Sequence, residues 1–198
     1  MIMDVNWEPK TKLGLAVKNG EITSIDSILM QGKPIMEAEI VDVLLPDLKS
    51  ETMELRMTQR VTDSGRKGSF RAVVIVGDGQ HYVGVGVAKA TEAAKALNKA
   101  LERAKRAIIK VPSACGSWEC QCGGHHSIPK AVSGKESSSF VEIKPAPRGV
   151  GLAANDTVKK VLQMAGISDA WAKARGSTNN VYNMLLATLK ALNSLNRS

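Results

Sequence analysis

Met53-Glu54-Leu55-Arg56-Met57-Thr58-Gln59-Arg60-Val61, Ser69-Phe70-Arg71-Ala72-Val73-Val74-Ile75-Val76 and Tyr82-Val83-Gly84-Val85-Gly86-Val87 are the three runs that decide the fold. In the first, Met53, Leu55, Met57 and Val61 alternate with Glu54, Arg56, Thr58 and Arg60, as in a strand with one wet face. A polar break over 62–68 follows. The second run reads as a buried strand, and Gly77-Asp78-Gly79-Gln80 is a hairpin signal leading into the third. A three-stranded antiparallel meander is expected.

Ala90, Ala93, Ala94, Leu97, Ala100, Leu101, Ala104 and Ile108 then recur at three- and four-residue intervals. At about 100° per residue they fill one side of a helix, with Lys95, Lys99, Arg103, Arg106 and Lys110 on the other. The alanines suit close packing on a sheet, and Pro112 stops the helix. Strands followed by a helix give an α+β domain over 49–112.

Around it, residues 1–48 read as an N-terminal extension with one or two short helices, at 22–30 and 40–45. Residues 113–124 form a cysteine- and glycine-bearing linker, and 125–198 form a second small α+β domain. In that domain, 127–132 and 140–144 read as strands, 157–165 and 181–195 as helices, and 170–175 as a strand between them. No internal repeat is present.

A net charge of +8 and a pI near 9.5 accompany 43% hydrophobic residues in 198, which describes a folding chain with an anionic partner. A membrane is disfavoured as that partner, because no apolar run approaches the roughly 20 residues of a spanning helix. Asp4, Glu8 and Lys10 near the start argue against an export signal, so a soluble cytoplasmic protein is expected. Three cysteines in one short stretch cannot all pair within the chain, unlike an oxidised secretory scaffold.

The strongest local site is Gly65-Arg66-Lys67-Gly68, read as a turn and flanked by Arg60 and Arg71. Glycines let the backbone approach a phosphate, and guanidinium groups bind phosphate through paired hydrogen bonds. On the helix stripe, Glu92 and Glu102 can pair with basic residues one turn away, which makes a merely solvated face as reasonable as an RNA contact. Aromatic residues are only 4% of the chain, so recognition by shape and phosphate fits better than base stacking. Gly84-Val85-Gly86-Val87-Ala88-Lys89 has Lys89 where a dinucleotide loop needs its third glycine, and it follows an antiparallel hairpin; no cofactor is implied.

Cys115, Cys120, Cys122, His125 and His126 have the chemistry of zinc ligands, but structural sites usually use two pairs separated by a longer loop. No metal ligand is assigned from the sequence, and whether Cys115, Cys120, Cys122 and His125 bind zinc stays open. No nucleophile and base stand at a diagnostic spacing, so no catalytic residue is expected.

The stretch from Gln59-Arg60-Val61-Thr62-Asp63-Ser64-Gly65-Arg66-Lys67-Gly68 to Val76-Gly77-Asp78-Gly79, continued by Val83-Gly84-Val85-Gly86, resembles the first-domain signature of the small-subunit ribosomal S-five family. Lys144-Pro145-Ala146-Pro147-Arg148-Gly149-Val150-Gly151, Met164-Ala165-Gly166-Ile167 and Ala174-Arg175-Gly176-Ser177-Thr178 resemble its second domain. Cys115-Gly116-Ser117-Trp118-Glu119-Cys120 is similar to the linker of archaeal members.

The resemblance implies a first domain like the double-stranded-RNA-binding fold and a second with a left-handed crossover. It also implies a structural role in the small ribosomal subunit, in support of decoding accuracy near the site where messenger RNA enters. The implied partners are small-subunit ribosomal RNA and neighbouring ribosomal proteins, above all the S-four family, with no homo-oligomer. With the residue reading it gives an RNA-binding set of Arg56, Arg60, Arg66, Lys67, Arg71, Lys89, Lys95, Lys99, Arg103 and Arg106. The implied protein interface is Arg148, Gly149, Gly151 and Lys159. From residues alone, a free-standing double-stranded-RNA-binding regulator and a nucleotide- or zinc-dependent catalyst are the competing classes.

Overall fold

Among the described residues, three short helices precede the meander: α1 (Lys12–Lys18), α2 (Ile25–Met30) and α3 (Glu39–Leu44). They belong to a computed structural model that describes residues 7–120 and 122–197. α1 is additional to the expected helices, because Gly14 interrupts its pattern. That glycine is buried, and a Cβ there would lie 2.9 Å from Pro9 Cβ. The extension is packed on the first domain: Val17, Ile25, Ile28, Ile35, Ile40 and Val41 cluster with Ile108. Lys105 meets Asp42 and Lys110 meets Asp26, both at 2.6 Å.

β1 (Lys49–Thr62), β2 (Gly65–Gly77) and β3 (Tyr82–Ala90) form the expected meander, and β4 (Ile109–Lys110) adds a fourth antiparallel strand against β3. Pairing continues to Thr62↔Gly65, so only Asp63 and Ser64 form the loop. The polar break expected over 62–68 is therefore mostly strand. Its residues are almost all exposed, and a ribbon in water on both faces carries no apolar alternation.

Nearer the centre, β2 is buried on both faces, which explains its unbroken apolar run. Ala72, Val74 and Val76 pack with Ala96, Ala100 and Ala104 of α4 (Ala93–Arg106). Gly84 and Gly86 of β3 leave room for that helix: a Cβ on them would lie 2.3 and 2.1 Å from the carbonyl oxygens of Ala104 and Ala100. Val73 and Ile75 face the other way, toward the second domain.

That domain consists of β5 (Val132–Glu136), β6 (Ser139–Pro145), β7 (Leu152–Ala153), α5 (Asp156–Met164), β8 (Ala170–Gly176) and α6 (Val181–Asn193). The sheet order is β5-β6-β8-β7, with β7 and β8 parallel and joined through α5. The first strand lies later than the expected 127–132, because Gly134 reads as a break in the sequence. In the fold it is an inward position where a Cβ would strike the Ala187 carbonyl oxygen of α6 at 2.1 Å. Val73, Ile75, Val83 and Val85 share one apolar cluster with Val158, Val161, Leu162 and Leu185, so the core is continuous between the domains. Among the described residues, no helix is long and apolar enough to cross a membrane.

Candidate nucleic-acid interface and linker site

Cross-strand register sorts the basic residues of the first domain. Arg56 lies opposite Arg71, Arg60 opposite Lys67, and Arg71 opposite Lys89. Because side chains alternate, these five residues share one face of the ribbon, with Thr58 and Ser69 between the two charged rungs. Arg66 pairs with Val61 and falls on the opposite face. The expected turn 65–68 is thus a strand segment that sends Arg66 and Lys67 to different sides.

Like charges directly opposite each other destabilise a sheet. Glu54 relieves one rung, accepting from Arg71 at 2.9 Å and lying 3.4 Å from Arg56. Among the described residues, Arg71 Nε is nevertheless buried with no hydrogen-bond partner. Among the described residues, the side chains of Arg60, Arg66, Lys67 and Lys89 make no ion pair and are exposed. A shallow hollow of about 380 Å³ collects Gly79, Leu152 and Lys159, and another of about 330 Å³ collects Glu54, Arg56 and Arg71 beside Asn179, Asn180 and Val181. The second sets the basic face against the N-terminus of α6, whose first turn is capped by the Asn180 side chain.

The helix stripe is less available. Lys95 pairs with Glu92 at 3.0 Å and Arg106 with Glu102 at 3.4 Å. Arg103 donates to the Val87 carbonyl at 2.7 Å and ties α4 to β3. Lys110 is taken by Asp26, which leaves Lys99 exposed and free of ion pairs among the described residues. Lys105, outside the stripe, is the helix cation committed to Asp42.

In the second domain, Gly149 and Gly151 hold φ of +94° and +72°, a region that side-chain-bearing residues rarely enter. Their amides donate to Asp169 Oδ1 at 3.1 and 2.8 Å, which shapes the exposed turn carrying Arg148 and Val150. Lys159, on α5, is exposed one turn into that helix and shares its hollow with Leu152, which directly follows the turn.

Asp169 also reaches the linker. Its Oδ2 lies 2.9 Å from His126 Nδ1, and His126 Nε2 lies 3.8 Å from Cys120 Sγ. The ligand atoms of Cys115, Cys120, Cys122 and His126 all fall within 4.8 Å of one another. His125 is outside this group, with Nδ1 2.8 Å from the Ser113 carbonyl oxygen. The backbone amide of Arg148, then the Cys122 thiol, lower the Cys120 thiol to about 6, whereas partial burial raises that of Cys115. A two-way backbone bridge, Ala114 to Ser127 at 2.8 and 3.0 Å, closes the loop at its base. Sequence spacing brought out the cysteines; Asp169 carried no local signal, because it is 43 residues from His126.

Comparison with known proteins agrees with this architecture. Residues 48–112 match the family model for the ribosomal protein S5 N-terminal domain, and 134–198 match that for its C-terminal domain. The small ribosomal subunit protein uS5 of Methanocaldococcus jannaschii is 53% identical over 190 residues, covering 96% of this chain and 88% of the relative. Its counterpart in Methanothermobacter thermautotrophicus is 49% identical over 200 residues, covering 100% of this chain and 93% of the relative. That of Picrophilus torridus is 50% identical over 190 residues, covering 96% and 86%. Matches to both domains in order, with archaeal relatives near half identity along almost the whole chain, establish that this chain belongs to the ribosomal protein S5 family, whose members are structural proteins and not enzymes.

Proposed function

We propose that the chain is a structural constituent of the small subunit of cytoplasmic ribosomes, binds small-subunit ribosomal RNA through the basic face of the β1–β2 ribbon, and supports accurate decoding near the site where messenger RNA enters. The observation that carries the RNA reading is the opposition of Arg60 to Lys67 and of Arg71 to Lys89. Such rungs cost free energy in the isolated chain, and a phosphate backbone laid along them reverses the sign. Contacts of this type position a protein on RNA without reading bases. The exposed turn Arg148-Gly149-Val150-Gly151, with Lys159 nearby, is proposed as the surface that meets the neighbouring S-four-family protein.

The test is binding to small-subunit RNA over a range of salt. Each phosphate neutralised contributes a slope of about −0.7 to −0.9 in the logarithmic plot, so Arg60→Ala with Lys67→Ala should flatten the slope by about 1.4 to 1.8. An unchanged slope refutes phosphate contact by this rung. A free-standing regulator is separated from a ribosomal component by co-sedimentation: the latter travels with small subunits at physiological salt.

A further inference from the structure

We propose that Cys115, Cys120, Cys122 and His126 form a structural zinc site that clamps the interdomain linker and, through Asp169, orders the Arg148–Gly151 turn. Three soft ligands and one imidazole with all four ligand atoms inside 4.8 Å are close to what tetrahedral zinc needs. With Zn–S near 2.3 Å, tetrahedral ligand atoms lie roughly 3.6 to 3.8 Å apart, so only small side-chain adjustments separate this group from coordination. The Cys120 Sγ to His126 Nε2 separation is already 3.8 Å.

His126 is also oriented as a ligand. Its Nδ1 faces the Asp169 carboxylate at 2.9 Å, and a proton held there leaves the Nε2 lone pair for the metal. His126 and Asp169 side chains are only 12% and 6% exposed, so the pair is held in place. A buried carboxylate behind a histidine whose other nitrogen faces three thiols is the arrangement by which zinc-binding histidines are set in proteins. Binding converts three thiols to thiolates and releases their protons to solvent, with no change in oxidation state.

The consequence reaches beyond the linker because Asp169 divides its oxygens. Oδ2 faces His126, and Oδ1 accepts from Gly149 and Gly151. Fixing His126 on a metal fixes the carboxylate that shapes the turn. This inference is independent of RNA binding.

The full-length chain, stripped of metal under reducing conditions, is titrated with Co²⁺ and then with Zn²⁺. The expected result is uptake of one equivalent of Co²⁺, with the thiolate charge-transfer and intense visible bands of a tetrahedral site, and loss of those bands on addition of one equivalent of Zn²⁺. Cys122→Ser alters an exposed residue, so folding by circular dichroism should persist while metal affinity falls. His126→Ala should weaken binding, His125→Ala should not, and Asp169→Asn should lower affinity about 10- to 100-fold while keeping the spectrum. Amide exchange at Gly149 and Gly151 should slow when zinc is bound to the wild-type chain. Weak or non-stoichiometric uptake, octahedral cobalt, or equal effects of His125→Ala and His126→Ala overturn the site, and unchanged exchange overturns the coupling to the turn.

Discussion

Tyr82 donates its phenolic proton to the Asp26 carboxylate at 2.7 Å, joining β3 to the N-terminal extension across 56 residues. Lys110 donates to the other oxygen of the same carboxylate at 2.6 Å. Burial alone would raise the Asp26 carboxyl, but the bonds from Lys110 and Tyr82 outweigh it and hold the group below its ordinary value. Burial, then the bond to Asp26, push the Tyr82 phenol well above its own.

Each shift has a definite sign in stability. The unfolded chain holds the Asp26 proton more tightly than the folded one, so this contribution is complete above about pH 4 and fades as pH falls through the lower folded value. The folded chain holds the Tyr82 proton more tightly, so that contribution fades above about pH 10. Asp26→Asn should cost about 1 kcal/mol, allowing for partial exposure, and should flatten both limbs of the pH profile. Urea unfolding across pH, with proteolysis in the 19–35 segment, measures it; a profile identical to wild type would show that the apolar cluster alone docks the extension.

Arg60 and Lys67 allow a test in which stability and binding move in opposite directions. Lys67→Glu turns a like-charge rung into an opposite-charge one and should stabilise the free chain by about 0.2 to 1 kcal/mol. The same change should weaken binding to small-subunit RNA and flatten its salt slope. Parallel movement of both quantities would mean that the ribbon contributes to binding through its fold and not its charge.

Division of the chain is a third point of test. Val73, Ile75, Val83 and Val85 present an apolar face that α5 and α6 cover. A fragment of residues 49–112 would expose that face, so it should lack cooperative unfolding while the whole chain unfolds in one transition. Cooperative unfolding of the fragment by both calorimetry and circular dichroism would show that its core is complete without α5 and α6.

The meander and its helix were legible because strand and helix periods are local properties of 53–61, 69–76 and 90–108. What the sequence concealed is non-local or lacks side chains. The strand expected over 127–132 runs instead over 132–136, because nothing near Gly134 in the sequence reveals that α6 lies on it. Arg66 and Lys67 looked like partners because they are adjacent in sequence, but neighbours in a strand point to opposite faces. Arg103 looked like its neighbours on the stripe until the Val87 carbonyl appeared beneath it. His126, not His125, stands with the cysteines and is backed by Asp169, which no spacing rule reaches.

Gly149 and Gly151 supply the test of the proposed protein interface. Both sit at positive φ, and an ideal Cβ at either would find nothing within 4 Å. A Cβ therefore meets no clash among the described residues, and the direct cost of a side chain is the backbone penalty of about 1 to 2 kcal/mol for a left-handed L-residue. The added group projects from the surface, where the proposed neighbour would dock. An interface that opens and closes is balanced by modest free energy, so an obstruction worth about 1.4 kcal/mol shifts its two states tenfold. Gly149→Leu or Gly151→Leu should leave small-subunit yield near normal and change misreading frequency. Measuring both in the same cells separates the outcomes: reduced yield with unaltered accuracy identifies a turn that serves only the domain's stability, and normal yield with unaltered accuracy removes this surface from the decoding interface.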